Sequence, residues 1–238
     1  MRIEKRIAAD GVYYPVILSD EQETLSAAKA AGRVFVGIVR AGGGWLSGVD
    51  ELLELPASRK EDAEALLEEL ETEPWFSEYL ERVVRRSLGL PWLICRTKRL
   101  LIREFVEADA LRVPEEPEDT EADAVFRTPE LLKAYRKSQY GFYRYGMWAV
   151  IRSCDGALVG CAGVSPGERE GEMELGYHIY RPFRRRGYAE EACRAVIACV
   201  QEEWGSRIYA RVKPDNEASV RFLKKLGVPY FTAEAPKI

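Results

Sequence analysis

Apolar and polar positions change their spacing several times along this chain, and each change marks an element. Tyr13–Leu18 is a dense apolar run that predicts a short strand. Ser19 or Asp20 can cap a helix running through Ala31, with Glu21 and Glu23 in the first turn, where the helix dipole favours acids. Gly32 ends that helix, and Arg33–Val39 is again an apolar, β-branched run of strand length. The unit reads β-α-β, which implies two parallel strands joined by a right-handed crossover, a small Rossmann-like piece. After the loop Ala41–Gly48, Val49–Leu55 predicts a further short strand. Helical sequence follows over about 58–71 and 75–87, the first helix carrying Leu66, Leu67 and Leu70 as its apolar stripe.

Helical periodicity stops at Gly89-Leu-Pro91, which predicts a boundary between a domain at 1–90 and a second at 92–238. Trp92–Phe105 reads as one extended segment centred on Leu100, Leu101 and Ile102, and Glu107–Val113 as one or two helical turns. Pro114–Asp123 is acidic and proline-bearing, with little reason to pack. Thr128 as cap and Pro129 at the first helical position open a helix expected to reach about Tyr145. Gly146–Ser153, Ala157–Val164 and Glu172–Tyr180 form a strand meander. The chain then alternates: helix 188–204, strand 207–212, helix 217–226 and a short strand around Tyr230. The fold class is therefore α/β of the α+β type, a mixed sheet flanked by helices and preceded by the small Rossmann-like domain.

Composition narrows the function classes. The 238 residues are 47% hydrophobic and 31% charged, which suits a folded globular chain. No apolar run approaches the roughly 18 residues of a membrane span, and the first ten residues lack the apolar segment of a secretory signal, so the expected location is cytoplasmic, with no membrane partner. Five scattered cysteines without a C-x-x-C pair, and the lone histidine His178, argue against a metal site or a disulfide framework. A net charge of −4 argues against a nucleic-acid partner.

The chemistry concentrates in Glu174–Ala189, a strand that passes through a basic, glycine-bearing turn into a helix. Such a turn is an anion cradle: Gly187 lets successive amides face one concavity, and the helix start adds its positive dipole end. Arg181, Arg184, Arg185 and Arg186 add fixed positive charge, which suits a diphosphate. The plainer reading of the same arginines is a solvated basic turn.

The order Arg-x-x-Gly-x-Ala at Arg184, Gly187 and Ala189 resembles the acyl-CoA pyrophosphate motif of the GNAT superfamily of N-acyltransferases. Lys213–Gly227 resembles the family's Asn-x-x-Ser segment with its closing Lys-Leu-Gly. Thr97–Arg103 resembles the first strand of the branch that acetylates ribosomal-protein N-termini. The resemblance implies acetyl-CoA as donor, with the backbone of Tyr177, His178 and Ile179 as the edge that pairs with pantetheine. It implies Arg184, Arg185, Arg186, Gly187, Tyr188 and Ala189 as the diphosphate cradle, and Asn216 as holder of the pantetheine arm. Glu174 is the candidate base and Ser219 the candidate general acid, with no metal. Strand parity puts Glu174 and His178 on one face about 13 Å apart, too far for an acid–base pair. Two departures from the family stand out: no tyrosine occurs in Arg221–Lys224, and only eleven residues follow Gly227. The acceptor side is then open, completed by the N-terminal region, or shared in a homodimer.

Ser19–Gly37 with Ser47–Asp50 more faintly resembles part of a haloacid dehalogenase-like unit, without that family's Asp-x-Asp, so the N-terminal domain is expected to be non-catalytic. The leading expectation is acetyl transfer to a primary amine of a small molecule or a peptide N-terminus. A non-catalytic acyl-CoA-binding module is the second reading, and a nucleic-acid binder using Arg181–Arg186 is disfavoured by the overall acidity.

Overall fold

The computed structural model describes residues 2–40, 46–49, 51–55, 63–117 and 124–232. The chain divides into two compact units, Met1–Trp92 and Leu93–Ile238.

The first unit runs β1 (Arg2–Ala9), β2 (Val12–Ser19), α1 (Gln22–Ala30), β3 (Val34–Arg40), β4 (Leu52–Leu55), α2 (Ala63–Glu71) and α3 (Pro74–Ser87). Its sheet has the order β1-β2-β3-β4, with β2, β3 and β4 parallel and β1 antiparallel to β2. The expected β-α-β unit is present. Ser19 Oγ accepts from the Glu21 amide at 3.1 Å just before α1 begins. Gly32, at φ +63°, lets the chain leave α1, and Arg33 N–H returns to the Ala28 carbonyl.

β1 is an addition to the sequence reading. Ile3, Lys5 and Ile7 are half-buried and Ala9 buried while their neighbours face water, a period of two that the charges of Arg2, Glu4, Lys5 and Arg6 disguise. Asp10 and Gly11, both at positive φ, make the tight turn into β2. The core packs Val16, Leu18, Val36, Ile38, Leu53 and Leu55 against α3, whose Phe76, Tyr79, Leu80, Val83 and Val84 recur at helical spacing. In α2, Leu70 joins this core, while Leu66 and Leu67 lie outside the described side chains.

The second unit runs β5 (Leu93–Arg96), β6 (Leu100–Arg103), a 3-10 turn at Glu107–Arg112, α4 (Pro129–Tyr135) and a π-helical continuation at Arg136–Tyr143. It continues with β7 (Met147–Arg152), β8 (Leu158–Pro166), β9 (Glu172–Ile179), α5 (Tyr188–Trp204), β10 (Arg207–Val212), α6 (Glu217–Leu226) and β11 (Tyr230–Thr232). The sheet order is β11-β10-β9-β8-β7-β6-β5. β5 to β9 form an antiparallel meander, and β10 and β11 add parallel to β9.

Three expectations need correction here. Trp92–Phe105 is a hairpin, because the Thr97 hydroxyl accepts from the Leu100 amide (2.9 Å) and folds the chain back at Thr97–Arg99. The helix from Pro129 is α-helical only to Tyr135. Beyond it the coil widens to π, which sets Tyr135 and Tyr140, five residues apart, side by side on Met147. Tyr135 Oη accepts from the Met147 amide (2.6 Å), while the buried Tyr140 hydroxyl donates to the Met147 carbonyl. Finally, the start of the acidic segment does pack: Glu116 is buried, while residues 118–123 lie outside the described set.

The 3-10 turn is tied down by Asp109, which takes two bonds from Arg103 (2.6 and 2.9 Å), one from Arg112 and one from the Val106 amide. Burial by itself would raise the Asp109 carboxyl, but these donors hold it below the usual aspartate range.

Candidate active site

The site begins where the sheet divides. β9 pairs with β8 over seven positions, Gly160–Ile179 through Pro166–Met173. With β10 it pairs over only three: Glu172, Met173 and Glu174 against Arg207, Ile208 and Tyr209. Past Glu174 the two parallel strands part, and β10 continues with β11 instead, Ala210–Val212 against Tyr230–Thr232. The edge of β9 from Leu175 to Ile179 thus borders a fork within the sheet. Backbone groups at such an edge can receive an extended polar chain as an added strand.

The cradle stands at the end of that edge. Gly187 holds φ +77° as the N-cap of α5, and Arg185 before it is also left-handed at φ +60°. A side chain at Gly187 meets no closer atom than Arg99 Nη2 at 3.4 Å, so the requirement for glycine is conformational and not one of space. The first turn of α5 presents amides without intrahelical acceptors, as every helix start does. It also carries Glu190 and Glu191, which unpaired would repel an anion. Each is neutralised. Glu190 bonds Lys225 (2.5 Å) and Arg194, and these cations, Lys225 foremost, hold its carboxyl low. Glu191 accepts from the Thr97 hydroxyl (2.6 Å), Arg99 Nε (2.6 Å) and the Arg99 amide (2.9 Å). Its burial raises the carboxyl, and those donors outweigh it.

Arg99 also donates to the Arg186 carbonyl (3.0 Å) and lies over the buried Tyr188 ring at 4.7 Å. The hairpin turn between β5 and β6 therefore clamps the cradle loop. Sequence reasoning missed this clamp, since Arg99 and Glu191 are 92 residues apart with no pattern linking them.

The expected cradle arginines differ in what they do. Arg185 and Arg186 are exposed and leave their charge available. Arg184 turns inward: Nε donates to the Ile179 carbonyl (2.7 Å) and Nη2 to Glu116 Oε2 (2.6 Å). Glu116 further accepts from the Arg181 amide (2.5 Å) and meets His178 Nε2 at 2.7 Å. This buried carboxylate gathers the end of β9 and the start of the cradle into one network. His178 is thereby an anchored strand histidine, and Glu174 is paired elsewhere, so the two form no dyad. Ala189 is half-buried at the start of α5.

Glu174 occupies the last paired position before the fork, half-buried, with Oε2 held by Arg211 Nε (2.7 Å) and Nη2 (2.6 Å). That bond favours the charged Arg211 guanidinium still further. Parity in β9 is as expected: Met173, Leu175 and Ile179 are buried on one face, with Glu174 and His178 on the other. Asn216 caps α6, its Oδ1 accepting from the Ser219 amide (3.0 Å), which leaves the side-chain nitrogen as the group it can offer a ligand. Ser219 is half-buried one turn into α6, on the side where Phe222 meets the Tyr177 ring at 4.9 Å. Glu174 and Ser219 accordingly lie on opposite faces of the forked sheet. Among the described residues no cluster of His, Cys, Asp and Glu fits a metal ion, and no helix is long and apolar enough to cross a membrane.

Known proteins bear on this geometry. The uncharacterized protein YkkB of Bacillus subtilis is 30% identical over 107 residues, 44% of this chain and 62% of YkkB, so the match spans less than two thirds of that relative. The uncharacterized N-acetyltransferase YnaD of the same organism is 32% identical over 138 residues, 56% of this chain and 80% of YnaD. Solved structures with a similar chain path include an acetyltransferase from Agrobacterium tumefaciens (26% identity, TM-score 0.45, 56% of this chain and 81% of that one). Another is the ribosomal-protein-S5-alanine acetyltransferase from Vibrio fischeri (18%, 0.46, 58% and 82%). The sequence profile of the acetyltransferase (GNAT) domain matches residues 99–229, more than half of the chain and the whole of the forked sheet's parallel side up to β11. On that match, the chain belongs to the GNAT acetyltransferase family.

Proposed function

We propose that this protein is an acetyl-CoA-dependent N-acetyltransferase that moves an acetyl group to a primary amine of a small molecule or a peptide N-terminus. The observation that carries the reading is the fork between β9 and β10 beyond Glu174, ending on the Gly187 cradle. A fork with an anion cradle at one end fits a donor that has a diphosphate at one end and an extended, amide-bearing arm. Amides of Gly187, Tyr188 and Ala189, with Arg185 and Arg186, would hold the diphosphate. The edge Tyr177–Ile179 would pair with the arm, and Asn216 Nδ2 would meet it from α6.

When bound, the donor supplies a thioester carbonyl open to attack and a thiolate as leaving group. The protein's part is to position, to take a proton from the amine and to stabilise charge as it develops. Glu174 stands at the apex of the fork to accept that proton, directly or through water, with Arg211 fixing its orientation. Ser219, half-buried in the first turn of α6, would offer its hydroxyl to the departing sulfur. The buried Glu116 network supports both cradle and edge by fixing Arg184 and the Arg181 amide.

Calorimetric titration with CoA, followed by a thiol-release assay over a panel of amines, tests the reading. CoA binding together with amine-dependent thiol release is the expected result. Binding without release for any amine would favour the non-catalytic acyl-CoA module, and no binding would overturn both.

A further inference from the structure

We infer that Arg136 is the centre of a binding site for a small monovalent anion, of formate or chloride size, in the interior of the C-terminal unit. The inference is independent of the proposed function.

Arg136 stands where α4 passes into the π-helical turn, and it is only 7% exposed. A guanidinium carries five N–H donors and no acceptor, so once removed from water it needs acceptors around it and a negative charge beside it. Nε and Nη2 of Arg136 are buried and meet no hydrogen-bond partner among the described residues. Nη1 lies 3.6 Å from Glu107 Oε1, beyond hydrogen-bond distance, and that glutamate side chain is 46% exposed. The contact is too long and too wet to balance a buried cation. Arg103, on β6, shows a satisfied guanidinium in the same unit: it gives two bonds to Asp109 (2.6 and 2.9 Å) and one to the Glu104 carbonyl (2.8 Å).

The other polar groups near Arg136 are committed. Burial, with Tyr135 and Glu104, pushes the Tyr140 phenol up, and the charge of Arg136 pulls against that rise, which sets the cation within reach of this hydroxyl. The hydroxyl donates to the Met147 carbonyl, and its oxygen takes the Phe105 amide (3.3 Å). Glu104, buried as well, is held by contacts of its own. Water can take the spare hydrogens of Arg136 but not its charge, whereas an anion takes both. Nε–H and one Nη2–H run parallel along one edge of the planar guanidinium, the fork that a carboxylate meets with two oxygens and a halide with one atom. The orphaned nitrogens are the two of that edge. Both are shut off from solvent, so the occupant is small and itself enclosed.

NMR of the arginine Nε–H groups, on the full chain in the sodium salt of a bulky sulfonate, tests the site. The resonance that vanishes in Arg136→Met belongs to this residue; Arg136→Lys identifies the same resonance if the methionine variant does not fold. It should move along a saturating curve as sodium formate or sodium chloride replaces the sulfonate at constant ionic strength. Glu107→Gln removes the carboxylate that competes for this guanidinium, and should lower the half-saturating concentration about two- to fivefold. At ten times half-saturation, the small anion should raise the melting temperature of the parent by about 3–6 °C. Arg136→Met, with an apolar side chain in place of the cation, should show none of that rise. A resonance that stays still or drifts without saturating would overturn the inference. So would an equal rise in melting temperature in parent and Arg136→Met, or a half-saturating concentration that Glu107→Gln leaves unchanged or increases.

Discussion

The two sheets of this protein differ in what lies behind them. In the N-terminal unit β1 pairs with β2 over eight positions and every residue of β4 pairs with β3, and the only buried polar residue described there is Ser19. In the C-terminal unit β9 and β10 share three positions and then part, and every buried charged residue described in the chain belongs to this unit: Glu104, Asp109, Glu116 and Arg136. A closed sheet can rest on apolar packing alone. A forked one leaves backbone groups unpaired inside the fold, and the segments bordering the gap need directional contacts to keep their places. Glu116 supplies such contacts at the cradle end, while Asp109 fixes the turn after β6, away from the gap.

The contrast can be broken first at Asp109. Asp109→Asn leaves Arg103 and Arg112 facing a neutral group and should destabilise the C-terminal unit by about 3–5 kcal/mol at neutral pH. Since the native carboxyl titrates below its ordinary range, its stabilisation is complete above the unfolded aspartate pKa of about 3.9 and fades as pH falls through the lower folded value. The gap between Asp109→Asn and the parent in chemical denaturation should therefore close on acidification. A gap that widens would refute the role given to this ion pair.

A somewhat smaller effect is expected at Glu116. Glu116→Ala strands Arg184, His178 and the Arg181 amide, and should cost about 2–3 kcal/mol in the same assay. CoA affinity should fall by about tenfold as the cradle loses its support. Unchanged affinity would show that the network is structural only.

A paired comparison sharpens the difference further. Gly32 and Gly187 both sit at helix ends with φ of +63° and +77°. Replacement of either by valine should cost about 1–2 kcal/mol through left-handed strain. Only Gly187→Val should impair CoA binding in a thermal-shift titration. Equal effects on binding would remove the special place of the cradle.

The smallest effect is one of reactivity. Burial pushes the Cys193 thiol up to about 12, and burial together with neighbouring Cys199 does the same for Cys95, whereas Cys154 is exposed. Thiol titration of the native chain at pH 8 should show Cys154 reacting first, with Cys95 and Cys193 reacting only on unfolding.

How much of this was open to reading depended on whether the signal was local. The β-α-β unit, the meander and the cradle with its glycine follow from runs and caps a few residues long. The parity that separates Glu174 from Tyr177 was legible for the same reason. β1 carried its period of two in plain sight but was hidden by alternating charge. The hairpin at Thr97 depended on one hydroxyl, and the π coil on two tyrosines meeting the same residue, Met147. Glu116, in a segment of disordered composition, is packed because three partners more than sixty residues away converge on it. The Arg99 clamp and the pairing of Glu174 with Arg211 are likewise contacts at long sequence separation, for which a single sequence holds no pattern.

The placement of Glu174 and Ser219 on opposite faces of a sheet that is open between them bears on kinetic order. On the proposed function, an amine arriving from the Glu174 face would not wait for the thiol to vacate its own side, so both substrates would be held at once and the acetyl group would never be stored on the protein. Initial rates measured against both substrates should then give intersecting double-reciprocal lines, and trapping should recover no acetylated enzyme between half-reactions.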